Sequence, residues 1–372
     1  MPFSLPKSTL LYQSTATTSP VFNAVVSRSL GAYSIDQMAE VRHRMEIRTM
    51  VVQCDLCPKY CVIKPGESGD CRVRVNIDGR LSAVTYGFPS AAHVDPIEKK
   101  PLNHFLPGTA VFSIATVGCN LHCLNCQNWE ISQQSPEEAV AFRLDPADVV
   151  KQAKLHDCVS VAYTYTDPSV YYEYTLDSCI KAREAGLRNV LVTAGYLNEK
   201  PLRELCKVVD AVTIDLKAMS DKFYREICGA TLAPVLNYFV VCKAMGVHVE
   251  ASNLLIPTLN DKDEEIEALC CWIKENLGRE TPLHFLRFFP QHKMRHLPPT
   301  PASTLVRARE IATAAGLDYV YIGNLLETDS ATTFCPGCHS ILIRRMGHQL
   351  LENNALDGSC PSCKRRIYGV WK

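Results

Sequence analysis

Three absences from the sequence bear on the class of protein to which it belongs. It has no net charge, because 39 Lys and Arg balance 39 Asp and Glu, so no overall field would attract a polyanion. It has no apolar stretch long enough to span a bilayer, and we expect no membrane partner. Its first 35 residues contain no Asp or Glu.

That acid-free segment carries only Lys7 and Arg28 as charges and is rich in Ser and Thr. Such a composition is typical of an organellar transit peptide. The alternatives are a disordered extension, or a start site nearer Met38 or Met45. Residues 1–45 are therefore predicted to be a low-complexity tail or a targeting peptide. We expect a cytoplasmic protein, or one of an organellar matrix if the tail is a transit peptide.

Cysteine, in contrast, is abundant, with 18 residues in a chain of 372. Eleven of them fall into three groups with the short spacings of metal ligands, and the other seven are scattered. In a chain of this length, such a pattern indicates metal binding in a reducing compartment and not a disulfide framework.

The central group is Cys119, Cys123 and Cys126, which follows the apolar run 110–116. Three thiolates on a short loop can hold three irons of a [4Fe–4S] cluster and leave the fourth iron open. An open iron can chelate the amine and carboxylate of S-adenosylmethionine (SAM), whose reductive cleavage yields a 5′-deoxyadenosyl radical. The alternatives are a zinc knuckle that includes His122 or a redox dithiol.

The other two groups flank this loop. The spacing of the C-terminal group predicts a zinc ribbon, with rubredoxin-like iron as the alternative. The N-terminal group fits a structural zinc and an auxiliary Fe–S cluster equally well. The C-terminal group is Cys335, Cys338, Cys360 and Cys363, and the N-terminal group is Cys54, Cys57, Cys61 and Cys71.

Between these groups the chain alternates short β-branched runs with amphipathic stretches. This alternation predicts βα units around a parallel sheet. We expect an α/β fold, a partial TIM-like (β/α)6 barrel, with a doubly wound sheet as the alternative. The predicted parts are a cysteine-rich block and connector over 46–108, the barrel over 109–328 and the ribbon module over 329–372.

Polar residues follow the predicted strands, where a parallel barrel binds its ligands. SAM needs a carboxylate for its ammonium, a cation for its carboxylate, and hydroxyl or backbone partners for its ribose and adenine. Asp167 is the candidate for the ammonium and Lys217 for the carboxylate. The full set of candidate SAM contacts is Thr164, Tyr165, Asp167, Thr193, Gly195, Asp215 and Lys217. No catalytic residue is assigned.

Several of these segments together resemble one family. They are Asp95–Leu102, Gly118–Ser132, Tyr163–Pro168, Asp215–Lys217 and Ile367–Trp371. Over about residues 50–372 the chain resembles the radical SAM member of the AmmeMemoRadiSam group, which is related to pyruvate formate-lyase activating enzyme. It departs from the usual pattern at Asn125, where relatives carry an aromatic residue, at Asp167, where they carry Glu, and at Ala194, where they carry Asn.

The resemblance implies an enzyme that cleaves SAM at a [4Fe–4S] cluster and abstracts hydrogen from an unidentified substrate. By analogy with glycyl-radical activases, that substrate would be a protein. The resemblance also implies a low-potential electron donor and a functional association with Memo-like and AMMECR-like proteins. Two alternatives stay open. One is a radical SAM enzyme that modifies RNA or a small metabolite, which the basic ribbon would suit. The other is a non-catalytic Fe–S and zinc binding module.

Overall fold

The computed structural model of the protein describes residues 50–325 and 329–372. The predicted tail, residues 1–45, lies outside the described residues. The chain from Met50 to Lys372 forms one unit by its internal contacts. The N-terminal block, the barrel and the ribbon are therefore parts of a single body.

Two short antiparallel hairpins form the N-terminal block. β1 (Val52–Gln53) pairs with β2 (Val62–Ile63), and β3 (Arg74–Ile77) pairs with β4 (Arg80–Ala83). The buried Asn76 amide joins them, because its Nδ2 donates to the Ile63 carbonyl at 2.9 Å. Such a bond satisfies a buried amide and holds the two hairpins together.

An eight-stranded sheet forms the centre of the molecule. Its strands lie side by side in chain order, and all pairs are parallel except the first. Most residues of the parallel strands are buried, as in a sheet covered on both faces,. The strands are β5 (Ala91–Pro96), β6 (Ala110–Ala115), β7 (Ser160–Tyr163), β8 (Arg188–Thr193), β9 (Ala211–Asp215), β10 (His248–Leu255), β11 (Leu283–Arg287) and β12 (Val320–Gly323).

Helices connect the parallel strands. Local signals start several of them: Pro146 is the first residue of one helix, and the Ser220 hydroxyl caps another by accepting from the Phe223 N–H at 3.2 Å. The helices are α1 (Trp129–Ser132), α2 (Pro146–Leu155), α3 (Tyr172–Glu184), α4 (Glu199–Cys206), α5 (Asp221–Phe223), α6 (Leu232–Ala244), α7 (Asp263–Leu277) and α8 (Ala302–Ala314). α5 continues as a π turn over Tyr224–Cys228.

No single helix in the described ranges is both long enough and apolar enough to cross a membrane. One bent pair, Asp221–Cys228 with Leu232–Ala244, passes that test jointly by length and composition, and its two parts meet at 107°.

The segment between β5 and β6 fills the barrel interior near the amino-terminal ends of the strands. The Thr213 hydroxyl donates to the Lys100 carbonyl at 2.6 Å, and the Asn103 and His104 N–H groups donate to the Glu250 carboxylate at 3.0 and 2.7 Å. Nearer the amino-terminal ends of the strands, apolar side chains of this segment, among them Phe105, pack against the sheet. The carboxyl ends of the strands are therefore the open end of the barrel.

The C-terminal ribbon is a three-stranded antiparallel sheet formed by β13 (Thr333–Phe334), β14 (Ile341–Met346) and β15 (Gln349–Asn353). It is joined to the barrel filling through Arg345, which is fully buried and donates to the Asn103 carbonyl at 2.7 Å. The ribbon is thus joined to the segment that fills the barrel.

The predicted α/β class and the partial parallel barrel are confirmed. Six strand–helix units run from β6 to α8, and the sheet also includes a seventh parallel strand, β12, and an antiparallel edge strand, β5.

Candidate active site and metal centres

The cysteine loop leaves β6 at the open end of the sheet. Backbone hydrogen bonds to the π turn hold it: the His122 N–H donates to the Cys228 carbonyl at 2.8 Å, and the Leu124 N–H donates to the Ile227 carbonyl at 2.9 Å. The Ser132 hydroxyl lies 3.2 Å from the Cys126 Sγ. The loop is therefore fixed mainly by backbone hydrogen bonds to the π turn.

All three thiols of this loop line one cavity of about 950 Å³. Its wall includes residues from each parallel strand or from the loop directly after it. Small-molecule sites typically occupy about 300–1,000 Å³, so this cavity has room for a cofactor and part of a substrate. Its position at the carboxyl strand ends is that of active sites in parallel barrels.

The cysteines fit an iron cluster with one open position. Cys119, Cys123 and Cys126 converge on the cavity, and the amide oxygen Oδ1 of Asn125, between two of them, is buried without a hydrogen-bond partner. Such a combination of soft ligands and an unpaired acceptor suits a bound group.

The thiols differ in how readily they lose their protons. Burial raises the pKa of Cys119 and of Cys126, whereas a side-chain hydrogen bond with Cys228 lowers the pKa of Cys123 to about 7. Because thiolates are the ligands, binding iron must displace protons from this loop.

The structure brings most of the predicted SAM contacts together in the cavity wall. Those that line it are Thr164, Tyr165, Asp167, Thr193, Asp215 and Lys217. The predicted contact Gly195 is not among the lining residues. Its N–H donates to the Thr193 hydroxyl at 3.0 Å, and a Cβ there would lie 2.9 Å from the Cγ2 of Ile214. Gly195 therefore provides close packing behind the wall.

Asp167 joins the loops after β7 and β8. Its Oδ2 accepts from the Thr193 hydroxyl at 2.9 Å and from the Ala194 N–H at 2.8 Å, and its Oδ1 accepts from the Ser169 N–H at 3.0 Å. A carboxylate has about four lone-pair sites. Three are occupied here, so one remains for an ammonium group.

Lys217 supplies a cation beside the cysteine loop. Its Nζ lies 3.1 Å from the Oδ2 of Asp215, whose Oδ1 accepts from the Ser252 hydroxyl. Burial disfavours the charge, but Asp215 and then Cys123 outweigh it and raise the pKa of Lys217 above its usual range. The ammonium therefore stays protonated and can bind an anionic group.

The cavity also contains a buried charged group to which the sequence assigned no role. Lys100 is 1% exposed, and its Nζ donates to the Oδ2 of Asp95 at 2.6 Å while lying 4.5 Å from the centre of the Tyr165 ring. The Tyr165 hydroxyl donates to the same carboxylate oxygen. Burial lowers the pKa of Lys100 to about 8. The signal available in the sequence was the cluster of charged residues at the end of β5 and just after it, Asp95 to Lys100.

The ribbon contributes to the cavity as well, which the sequence did not predict. Its β14–β15 turn, Met346–Gln349, lines the wall together with Glu98 and Lys99. The ribbon therefore bounds the space in which a substrate would lie.

The ribbon cysteines form a preformed metal site. The four sulfurs all lie within 4.8 Å of one another, with Cys335 Sγ 3.5 Å from Cys363 Sγ and Cys338 Sγ 3.5 Å from Cys360 Sγ. Zinc–sulfur bonds of about 2.3 Å in a tetrahedron place sulfurs about 3.8 Å apart. The group thus fits a metal-binding ribbon.

The N-terminal cysteines converge in a different way. Cys54, Cys57, Cys61 and Cys71 line one small cavity beside the barrel loop. Within the described ranges, the ribbon is the one group of three or more such ligands with all sulfurs within 4.8 Å, so the N-terminal sulfurs are farther apart.

The chain is similar to several known proteins. A sequence model described as the Radical SAM superfamily matches residues 113–270. An uncharacterized protein of Methanocaldococcus jannaschii is 47% identical over 318 residues, which cover 85% of this chain and 95% of that protein. The pyruvate formate-lyase-activating enzyme of Clostridium pasteurianum is 24% identical over 159 residues, 42% of this chain and 66% of that enzyme. The crystal structure of Streptococcus suis SuiB matches with a TM-score of 0.47 and 14% identity, over 61% of this chain and 52% of SuiB.

Proposed function

This chain belongs to the radical SAM superfamily. From that premise we propose that it cleaves SAM reductively at a [4Fe–4S] cluster held by Cys119, Cys123 and Cys126 and abstracts hydrogen from a protein or peptide substrate. The observation that carries the proposal is the convergence of these three thiols with Asp167 and Lys217 on one cavity. When bound, the cluster would supply an electron to the SAM sulfonium, and the 5′-deoxyadenosyl radical would take a hydrogen atom from the substrate.

The chain's own residues would position SAM. Lys217 would bind the SAM carboxylate, because it is a partly buried, protonated cation beside the loop. Asp167 would accept a hydrogen bond from the SAM ammonium at its remaining lone-pair site. The ribose and adenine would lie along the other lining residues, Thr164, Tyr165, Thr193 and Asp215.

A protein or peptide substrate is supported by similarity to an enzyme that activates pyruvate formate-lyase, because the molecule activated in that case is a protein. A cavity bounded by the Met346–Gln349 turn leaves room beyond SAM for a chain segment. We propose further that a low-potential donor supplies the electron and that the ribbon holds a structural zinc in a closed shell of four thiolates. The proposed association with Memo-like and AMMECR-like proteins rests on the resemblance to the AmmeMemoRadiSam group alone.

Alanine variants of the loop cysteines test the proposal. Cys119→Ala, Cys123→Ala and Cys126→Ala, reconstituted anaerobically with iron and sulfide, should form no 5′-deoxyadenosine from SAM in the presence of dithionite, since each thiolate holds one iron. Cys271→Ala is the matched control, because this half-buried thiol lies in α7 outside every cysteine group. Full cleavage by any of the three loop variants would contradict the assignment.

The substrate class is tested by isotope transfer. Proteins from cells grown on deuterated amino acids should transfer deuterium into 5′-deoxyadenosine, because a hydrogen atom moves from substrate to radical. Transfer only from deuterated RNA or from deuterated small metabolites would contradict a protein substrate.

A further inference from the structure

The four N-terminal cysteines meet although they lie on separate turns. The Cys54 N–H donates to the Cys61 carbonyl at 2.9 Å, which places Cys57 in the connecting turn. The Gly69 N–H donates to the Arg74 carbonyl at 2.8 Å and folds Cys71 back toward them. The backbone also points a donor at a sulfur, since the Asp70 N–H lies 3.4 Å from the Cys61 Sγ. N–H groups directed at sulfur are a feature of metal–thiolate sites.

The spacing of these sulfurs suits a multi-atom core better than a single ion. Around one zinc, the sulfurs would lie about 3.8 Å apart, as they nearly do in the ribbon. Among the described residues, no three of the sulfurs of Cys54, Cys57, Cys61 and Cys71 all lie within 4.8 Å of one another. In an iron–sulfur cluster each thiolate binds a different iron, so the sulfurs lie farther apart than around one ion.

The surroundings also suit a cluster with net negative charge. Lys59 and Arg74 both line the small cavity of the four cysteines, together with Asp70, which is ion-paired with Lys59. Arg74 is only 7% exposed, and its guanidinium is fixed by two hydrogen bonds to the Glu173 carboxylate at 2.7 and 2.9 Å. Buried thiolates need such nearby cations.

The site lies directly against the barrel loop. A Cβ at Gly118 would lie 2.6 Å from the Cys71 carbonyl oxygen and 2.5 Å from the Cγ1 of Val73. Asn120, which lies between two cysteines of the barrel loop, lines the N-terminal cavity. Cys71 is buried on this inner side, whereas Cys61 is partly exposed. The site therefore has one side open to solvent and another in contact with the barrel loop.

We propose that Cys54, Cys57, Cys61 and Cys71 hold a second [4Fe–4S] cluster that passes electrons to the barrel cluster; the destination of the electron rests on the proposed function. A one-electron donor of the flavodoxin or ferredoxin class reduces the N-terminal cluster. That cluster is reoxidised as it passes the electron to the barrel cluster. SAM then accepts the electron, and its sulfonium carbon–sulfur bond breaks to give methionine and the 5′-deoxyadenosyl radical.

Metal content tests the site without any variant. The anaerobically reconstituted full chain should contain about eight irons, from two [4Fe–4S] clusters, and roughly one zinc. About four irons with roughly two zincs would overturn the proposal. Cys57→Ala and Cys71→Ala should each reduce the iron content to about four and leave the zinc in place, whereas Cys271→Ala should retain about eight irons. No fall in iron in the first two variants would also overturn it.

Two further readouts test adjacency and direction. In the dithionite-reduced protein, the electron paramagnetic resonance signal should show coupling between two clusters, and this coupling should be absent in Cys57→Ala. SAM cleavage driven by reduced flavodoxin should fall more in Cys57→Ala than cleavage driven by dithionite; an equal fall would overturn the relay. Failure of this proposal is distinguishable from failure of the proposed function. About eight irons without SAM cleavage would contradict only the latter, and SAM cleavage with about four irons only the former.

Discussion

Lys217 is the proposed partner of the SAM carboxylate at the cavity wall. Lys217→Met should weaken SAM binding by roughly 1.5–3 kcal/mol, because a charge-assisted hydrogen bond to the SAM carboxylate is lost. Isothermal titration of the iron-loaded protein measures this, with iron content unchanged. Lys222→Met is the matched control, since Lys222 is an exposed lysine on α5. Equal SAM affinity in both variants would move the carboxylate contact elsewhere.

Glu250 shows how a buried charge is held inside the barrel. Its Oε1 accepts from His104 N–H and His248 Nε2 at 2.7 and 3.0 Å, and its Oε2 accepts from Asn103 N–H and His284 Nε2 at 3.0 and 2.7 Å. Burial alone would raise its pKa, but the hydrogen bonds from His248 and His284 outweigh burial and hold the pKa of Glu250 well below its usual range. The ionised form is therefore part of the native state.

Glu250→Gln should lower the free energy of unfolding at pH 7 by roughly 2–5 kcal/mol, because an amide NH₂ leaves two buried donors without an acceptor. Since the folded pKa is lowered, the contribution of ionised Glu250 is complete above the ordinary glutamate pKa of about 4.3 and declines as the pH falls below it. Urea unfolding at pH 7 and pH 4 measures the difference from the wild type.

The exposed Glu275 provides the control for that measurement, and Glu275→Gln should change the stability little at either pH,. A Glu250→Gln penalty that grew toward low pH would have the wrong sign for a carboxylate ionised in the native state.

At the scale of elements, the structure shows that the cysteine loop and the N-terminal block touch at Gly118. Its φ of +88° lies in the left-handed region, and a side chain there would meet the backbone at Cys71. Gly186 also has a positive φ, +81°, but nothing lies within 4 Å of a Cβ there. The pair therefore separates backbone strain from close contact.

Gly118→Ala should destabilise the protein by about 1–3 kcal/mol more than Gly186→Ala, because both variants share the left-handed strain and only the first adds overpacking. Urea unfolding of both variants measures the difference. Equal losses would show that the N-terminal block does not press on the loop.

Most of the elements could be predicted from the sequence, since β-branched runs and amphipathic stretches recur at the spacing of βα units. The π turn after α5 could not be predicted, because it is defined by its backbone hydrogen bonding and not by a residue pattern. Its carbonyls at Ile227 and Cys228 accept hydrogen bonds from the cysteine loop. Likewise the cavity lining was largely predictable from strand ends. The Lys100–Asp95 pair was not, because it depends on how the connector folds back into the barrel.

At the scale of the whole molecule, the C-terminal ribbon stabilises the barrel interior. The sequence alone suggests a separate small module, since four thiolates and two short hairpins can close a ribbon on their own metal. In the structure the Val370 N–H donates to the His104 carbonyl at 2.7 Å, and the Leu106 N–H donates to the Val370 carbonyl at 2.7 Å. The last residues of the chain thus pair with the segment that fills the barrel.

Two neighbouring arginines on β14 allow this coupling to be measured. Arg345 has no exposed side-chain area and contacts Glu98 Oε1 at 3.3 Å, whereas Arg344 is 39% exposed and lies 3.7 Å from Glu352 Oε2. Arg345→Met should lower the free energy of unfolding by about 3–5 kcal/mol, because it leaves the buried Glu98 without its cation. Arg344→Met should cost less than about 1 kcal/mol, as expected of a surface pair.

The shape of the unfolding transition distinguishes a coupled ribbon from a separate one. Because Arg345 bonds both to the ribbon and to the barrel filling, Arg345→Met should shift one cooperative transition of the full chain, followed by circular dichroism and by release of zinc. Zinc should remain bound below the transition, since the four cysteines are not contacted by Arg345. If zinc were released in an earlier, separate transition in the wild type, or if the two arginine variants were equally stable, the ribbon would not stabilise the barrel.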